Sequence, residues 1–408
     1  VHRSFFLLLI AWLTQAQPSL GQTLPQLTLP QIVAASVRST PNLAVIDREL
    51  AGRIADALAA EARLNPEIET FVRYGLERER VGFEVELGIP FRGSDFGARA
   101  VYGTALRAAG DMERRAALFA VAAEAATLYV SLWAAQERAT LAQQAAAQAQ
   151  SIEAALRRLE RDPRRPVSTL RLFSGEAERQ RLLFETLETE RQTIAATLEL
   201  TSAFPVESAT IAIPFDQPLP PLPALLAQAR ETQWNRRVAE ASLRLADRRL
   251  EVARRDAGPT FTPRLRYERT IDGEDEIGVG IALPFPLFDR NQAEIARALA
   301  DQGAAAMQLR FIDERGLNAT IGAAHRRAAR YEASAQAYEQ TVMPAFESNL
   351  ALVREQFERG QASLLEVWQL QQSLLAVRRE ALEAKIAGFA ARVELQRAVG
   401  TFFEEETP

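Results

Sequence analysis

Cysteine is absent from the 408-residue chain, which removes disulfides, thiolate metal sites and thiol nucleophiles together. Histidine occurs twice, at His2 and His325. With His2 in a leader-like segment, one imidazole is left, too few for a histidine metal centre, and no motif marks it as the base of a Ser-His-Asp triad. The three methionines, Met112, Met307 and Met343, are scattered and form no soft-metal site. No phosphate loop of the GxxxxGK[ST] type occurs. Lys385 is the only lysine, the net charge of −5 is spread along the chain, and nothing resembles the basic footprint of a nucleic-acid binder. Aromatics make up only 7%, while Ala, Leu, Arg, Glu and Gln dominate the helical stretches, as in long helices packed side by side. These absences leave no catalytic, cofactor-binding or metal-ligating residues to assign, and the chain is expected not to be an enzyme.

The apolar run Phe5 to Leu13 follows His2 and Arg3 and is too short to span a bilayer, but has the length of a signal-peptide core. Residues 1–21 are expected to be a cleaved export signal, with small residues at Ala16 and Gly21 offering exits before Gln17 or Gln22. No cysteine follows, so a lipidated start is not expected.

Alternation is the next signal. From Val81 to Phe91 the residues Val81, Phe83, Val85, Leu87, Ile89 and Phe91 share one face, and Glu84 and Glu86 share the other. Upstream, Ile68, Val72, Tyr74 and Leu76 oppose Glu67, Glu69, Arg73 and Glu77. Two further runs, Phe261 to Ile271 and Ile277 to Phe288, have the same character. Each is as long as the roughly 9–11 residues of a membrane-spanning strand. Four strands cannot close a barrel, and lipid tolerates no open edge, so the membrane reading requires several chains to share one barrel. Val85, Leu87, Val279 and Ile281 are then expected to face lipid, and Glu84 and Glu86 the lumen.

The runs belong to a tandem repeat. An offset of 193 residues pairs Pro30 with Pro223, Asn42 with Asn235, Pro66 with Pro259 and Tyr74 with Tyr267; later pairs are Pro90 with Pro286 and Ser168 with Ser363. The expected organisation is a first repeat over 22–203, a Pro-rich linker over 204–223, a second repeat over 224–400 and an acidic tail over 401–408. In the first repeat a helix from Leu29 to Leu64 precedes the strands, at about 66–92. A rod from Asp95 to Glu160, roughly 100 Å long at the helical rise, follows them. Asp162 to Pro166 breaks the rod, and Ser168 can cap a return helix to Ser202. In the second repeat the spacing predicts a helix from Ala224 to Asp256, strands at about 260–288, and a helix from Gln292 to Phe357, capped by Asp289 and kinked at Pro344. A break at Gly360 and a helix capped by Ser363 that runs to about Val399 complete it.

Two segments carry a family resemblance. Leu283-Pro284-Phe285-Pro286-Leu287-Phe288-Asp289-Arg290-Asn291-Gln292 resembles the strand-to-helix junction, and Gln356-Phe357-Glu358-Arg359-Gly360-Gln361-Ala362-Ser363-Leu364-Leu365-Glu366-Val367 the helix tip, of TolC-like outer-membrane efflux proteins, and more closely of their CzcC-type heavy-metal branch. The resemblance implies a mostly α fold with a membrane β-barrel portion. Three chains would give a twelve-stranded barrel in the outer membrane of a Gram-negative bacterium, continued by a twelve-helix periplasmic barrel. It also implies a passive exit duct for heavy-metal cations, served by a periplasmic adaptor and an inner-membrane pump of the RND type. Docking would fall on the helix tips, at Arg164, Val167, Ser168, Gly360, Ser363, Leu364 and Leu365, with Glu366 at the periplasmic entrance. The alternative role for Glu366 is that of a carboxylate in the first helical turn, favoured there by the helix dipole. Three places depart from the family pattern: Gly88 to Asp95 at the first junction, Asp162 to Pro166, which lacks the usual glycine, and Gln369, where some relatives carry a second acid. Rival readings are a periplasmic adaptor, which would need one hairpin inserted in compact β-domains, and a duct for drugs or other small molecules.

Overall fold

The computed structural model describes residues 26–76, 80–159, 167–206, 210–215 and 217–402. The leader over 1–21, the break Asp162 to Pro166 with Arg164, and the acidic Glu404 to Glu406 lie outside the described residues. By contacts the chain divides into two units. One comprises the described parts of Val1–Ser39, Glu124–Pro218 and Arg330–Ala390, the other those of Thr40–Ala123, Leu219–Ala329 and Ala391–Pro408.

In chain order, β1 (Gln26–Leu27), α1 (Leu29–Ser39) and α2 (Leu43–Glu61) lead into the hairpin β2 (Glu67–Gly75) and β3 (Arg80–Gly88). A single 3-10 turn at Gly93–Asp95 precedes α3 (Ala98–Leu159), and α4 (Val167–Ser202) returns. After β4 (Thr210–Ile211) the order recurs: α5 (Leu222–Thr232), α6 (Trp234–Arg255), β5 (Thr262–Arg269), β6 (Asp275–Ala282), the segments α7 (Gln292–Phe311), α8 (Leu317–Ala337) and α9 (Met343–Glu358), and α10 (Leu364–Val399). The expected fold class, long helices with a small antiparallel sheet and a repeated element order, is therefore the one observed.

Five expectations need correction. The helix expected from Leu29 to Leu64 is two helices, because Pro41 has no N–H to continue the first. At the equivalent place in the second repeat, Gln233 separates α5 from α6, and its side chain accepts the Arg236 N–H at 2.5 Å. The strand expected to reach Phe288 stops at Ala282, since Pro284 and Pro286 cannot donate to a ladder. Asp289 does not cap α7: it accepts the Asn291 N–H at 2.9 Å and sets up Asn291, in the left-handed region (φ 56°), as the N-cap residue. The rod expected from Gln292 to Phe357 is interrupted twice, by π-turns at Ile312–Gly316 and Tyr338–Val342. Pro344 explains the second, for its missing N–H falls where the i to i−4 ladder would have continued.

α3 runs for 62 residues, about 93 Å at 1.5 Å per residue. Its stretch Ala98–Ala154 has the length and, at a mean hydropathy of 1.6 in its most apolar window, the composition of a membrane-crossing helix, but half of that window is buried by the chain. The apolarity is mostly alanine, which lets neighbouring helices approach closely.

In the first unit Tyr129 is wholly buried, its hydroxyl 2.8 Å from the carbonyl oxygens of both Leu27 and Ala212. Burial pushes the phenol up to about 12, so it remains a donor at any physiological pH. It ties α3 to the parallel pair β1 and β4, which the sequence pattern did not reveal. Tyr129→Phe is expected to lower stability by about 1 kcal/mol, one buried hydrogen bond. Melts of detergent-solubilised protein that superimpose on wild type would show that this tie contributes nothing. In the second unit, Leu225, Ala229, Leu317, Ile321, Leu395 and Val399 form the principal described cluster.

Candidate functional site: a two-faced sheet and a helix tip

β2, β3, β5 and β6 form one antiparallel sheet in that order, so the hairpins of the two repeats pair through β3 and β5. The register sorts side chains by chemistry. One face carries Glu67, Glu69, Phe71 and Arg73, then Arg80, Glu84 and Glu86, then Arg264, Arg266 and Glu268, then Glu276, with Gly82, Gly88, Gly278 and Gly280 among them. The other carries Ile68, Thr70, Val72 and Tyr74, Val81, Phe83, Val85 and Leu87, Leu265 and Tyr267, and Ile277, Val279 and Ile281, with the pair Arg269 and Asp275 at the end next to the β5–β6 turn.

Glu84 and Glu86 thus lie on the charged face, opposite to Val85, Leu87, Val279 and Ile281. Glu84 is only 6% exposed because guanidinium groups close over it: Arg73 at 2.6 Å and Arg266 at 3.4 Å. Arg264 holds Glu86 at 2.6 Å, and Arg73 also bonds Glu268. The two glutamates and Arg73 stand out in the sequence but this cross-strand network does not; its one local signal is the alternation of Arg264, Arg266 and Glu268 with Leu265 and Tyr267. Most of the apolar face lies open to solvent, with Val72, Ile277 and Val279 at 75, 78 and 86% exposure. An apolar surface of this extent marks a membrane or partner contact.

The second feature is the tip between α9 and α10. Gly360 takes φ +75°, a conformation that glycine adopts without strain, and the Gly360 and Gln361 N–H groups bond back to Phe357 and Gln356 at 2.9 and 2.8 Å. Ser363 and Glu366 form a reciprocal capping box: the Ser363 hydroxyl accepts the Glu366 N–H at 3.2 Å, and the Glu366 carboxylate accepts the Ser363 N–H at 2.6 Å. The Ser363 N–H, and the Ser363 hydroxyl donating to the same carboxylate oxygen at 3.0 Å, hold the Glu366 carboxyl below the usual range. Leu365 is exposed, while Val367 is buried with Leu350 and Leu374. The structure places Val167, Ser168 and Leu364 in the first turns of α4 and α10; their side chains lie outside the described residues. Phe173 and Trp368, repeat-equivalent positions, meet edge-on at 5.5 Å, so the two return helices start side by side.

Elsewhere, the His325 ring nitrogen lies 3.1 Å from the Pro220 carbonyl oxygen, a packing role. Among the described residues no group of three or more His, Cys, Asp or Glu is placed to hold a metal ion.

No family model matches the chain. Among solved structures it is similar to CusC, described for its transmembrane channel formation, with 17% identity, a TM-score of 0.71 and 93% of each chain covered. It is likewise similar to the outer-membrane protein VceC of Vibrio cholerae, with 18% identity, a TM-score of 0.71, and 91% of this chain and 96% of that one covered. The fold, long helices with a small antiparallel sheet and a repeated element order, is therefore that of TolC-like outer-membrane channels. By sequence, the chain is similar to the cobalt-zinc-cadmium resistance protein CzcC of Cupriavidus metallidurans, with 26% identity over 384 residues, covering 92% of this chain and 90% of that protein.

Proposed function

We propose that the protein is the exit duct of a tripartite efflux system, closed as a trimer in the outer membrane and fed by a periplasmic adaptor and an inner-membrane pump. The sheet carries this reading. Among the described residues β2 and β6 are its edge strands, each with one side unpaired, and most of its apolar face has no cover. In lipid both edges must be satisfied, which the β6 edge of one copy and the β2 edge of the next do for each other. Three four-stranded sheets give a twelve-stranded barrel with the Arg and Glu face turned to water. Light scattering or cross-linking in mild detergent is expected to find trimers; finding monomers alone would refute the closed duct.

The cargo reading, heavy-metal cations, is supported by the similarity to CzcC. A deletion strain is expected to become sensitive to zinc, cobalt or cadmium and to recover with the intact gene. Unchanged metal tolerance with altered drug tolerance would transfer the duct to another cargo.

The helix tips, Arg164, Val167 and Ser168 in the first repeat and Gly360, Ser363, Leu364 and Leu365 in the second, are the proposed docking end, with Glu366 at the entrance. Glu366→Gln separates the two roles of that residue, because glutamine also completes a capping box. The variant is expected to fold and to lose part of the cation block of single-channel current. Undiminished block in intact trimers would leave Glu366 with capping alone.

A further inference from the structure

Between β6 and α7 lies Leu283-Pro284-Phe285-Pro286-Leu287-Phe288, outside any strand or helix. Its four large apolar side chains, Leu283, Phe285, Leu287 and Phe288, are 45, 73, 70 and 92% exposed. The first-repeat counterpart is better covered: Phe91 is half-buried and bridged to Phe261 through its backbone N–H and C=O, both at 2.8 Å.

We propose that Leu283–Phe288 is a lipid-contact collar, seated at the periplasm-facing side of the bilayer and completing an apolar band that the paired strand is too short to supply. The inference rests on the membrane reading of the sheet given above. Strand length makes the first argument. A strand tilted by about 45° advances roughly 2.3 Å per residue along the membrane normal, against an apolar band about 25 Å tall. The uncharged part of β6, Ile277 to Ala282, then covers roughly 14 Å. Continuing through Phe288 brings the uncharged run to roughly 28 Å. Charge marks both limits, with Asp275 and Glu276 before the run and Asp289 and Arg290 after it.

Backbone chemistry makes the second argument. Irregular chain is excluded from lipid by N–H groups left without acceptors. Here Pro284 and Pro286 have none, and the Leu287 N–H bonds the Phe285 carbonyl at 3.0 Å. Half of the segment's six positions therefore bring no free donor into the interface. Continuity makes the third: Ile277, Val279 and Ile281, on the exposed apolar face, lead straight into the segment. The two phenylalanines stand where an aromatic girdle meets the headgroups.

The absence of cysteine makes any introduced thiol a unique label. Ile281→Cys, Phe285→Cys, Phe288→Cys and, as an exposed helical control, Arg297→Cys are each labelled with a nitrobenzoxadiazole fluorophore. The proteins are reconstituted in phosphatidylethanolamine and phosphatidylglycerol vesicles doped with phosphatidylcholine spin-labelled at carbon 5 or carbon 12. Ile281→Cys is expected to be quenched best by the deep label. Phe285→Cys and Phe288→Cys should be quenched best by the shallow one, and several-fold less than Arg297→Cys by aqueous iodide. If both phenylalanine sites respond to iodide as Arg297→Cys does, or to neither iodide nor lipid because protein covers them, while Ile281→Cys keeps its lipid quenching, the collar is overturned and the membrane sheet stands. Loss of lipid quenching at Ile281→Cys would overturn both.

Discussion

Ile281→Arg is expected to destabilise the assembled protein by about 2–4 kcal/mol per chain, whereas Gly280→Arg, one residue away, leaves it folded. The two positions are adjacent in β6 and therefore on opposite faces of the sheet. Ile281 lies near the middle of the uncharged run, on the exposed apolar face, and in the proposed barrel a guanidinium there would be held in hydrocarbon. Gly280 lies on the charged face, and a Cβ built there meets nothing within 4 Å, so a long side chain has room. That face carries six glutamates and four arginines, so an added Arg offsets part of its acidic excess. Single-channel selectivity is accordingly expected to shift toward anions in Gly280→Arg. Urea unfolding of reconstituted protein and the yield of folded outer-membrane protein read the stability difference. Equal tolerance of the two substitutions, or a worse outcome at Gly280, would contradict the assignment of the faces.

The strands were legible because a period of two is a local property: each residue's face follows from its parity, and Glu84 and Glu86 against Val85 and Leu87 suffice to show it. Pairing order is not local. That β3 lies beside β5, so that Arg264 and Arg266 close over Glu86 and Glu84, requires contacts between residues 178 and 182 apart in the chain, and no single-sequence pattern contains them. The helix tip was legible for the same reason as the strands, since Gly360, Ser363 and Glu366 state their roles within seven residues. The π-turn at Ile312–Gly316 was not, because one extra residue per turn leaves no compositional mark when the flanking residues are ordinary helix formers. Proline overrides hydrophobic periodicity twice: Pro41 splits the first helix, and Pro284 with Pro286 ends β6.

The least legible part is also where the second large effect is expected. Gly88 to Asp95 departs from the family junction, and the structure shows what stands there instead, a buried polar knot where the sheet hands over to α3. Asp95, nearly inaccessible, accepts the Arg92 N–H at 2.8 Å and also meets the Arg92 guanidinium at 3.1 Å. The fully buried Ser94 hydroxyl bonds Asp256, just past the end of α6. Arg99 joins all of them: it donates to Ser94 Oγ and Asp256 Oδ2, each at 2.7 Å, and to the Ala60 carbonyl at 3.2 Å, with Asp95 Oδ1 at 3.4 Å. Gly93 is required beside this knot, because a Cβ there would stand 2.5 Å from the Arg255 carbonyl oxygen. Arg99→Met removes the charge and keeps most of the volume, leaving Asp256 without its guanidinium in a site open to little solvent. Breaking a fully buried pair in this way costs about 3–5 kcal/mol, and this one, with side chains 16 and 18% exposed, is expected to lose somewhat less. Arg99→Lys should lose much of the same stability, since one ammonium cannot reach acceptors that a planar fork spans. Arg99→Met combined with Asp256→Leu removes both charges and should recover part of the loss, a coupling that a double-mutant cycle in denaturant melts measures directly. If the double variant instead loses the sum of the single losses, the two residues act independently and the junction is held by packing rather than by the knot.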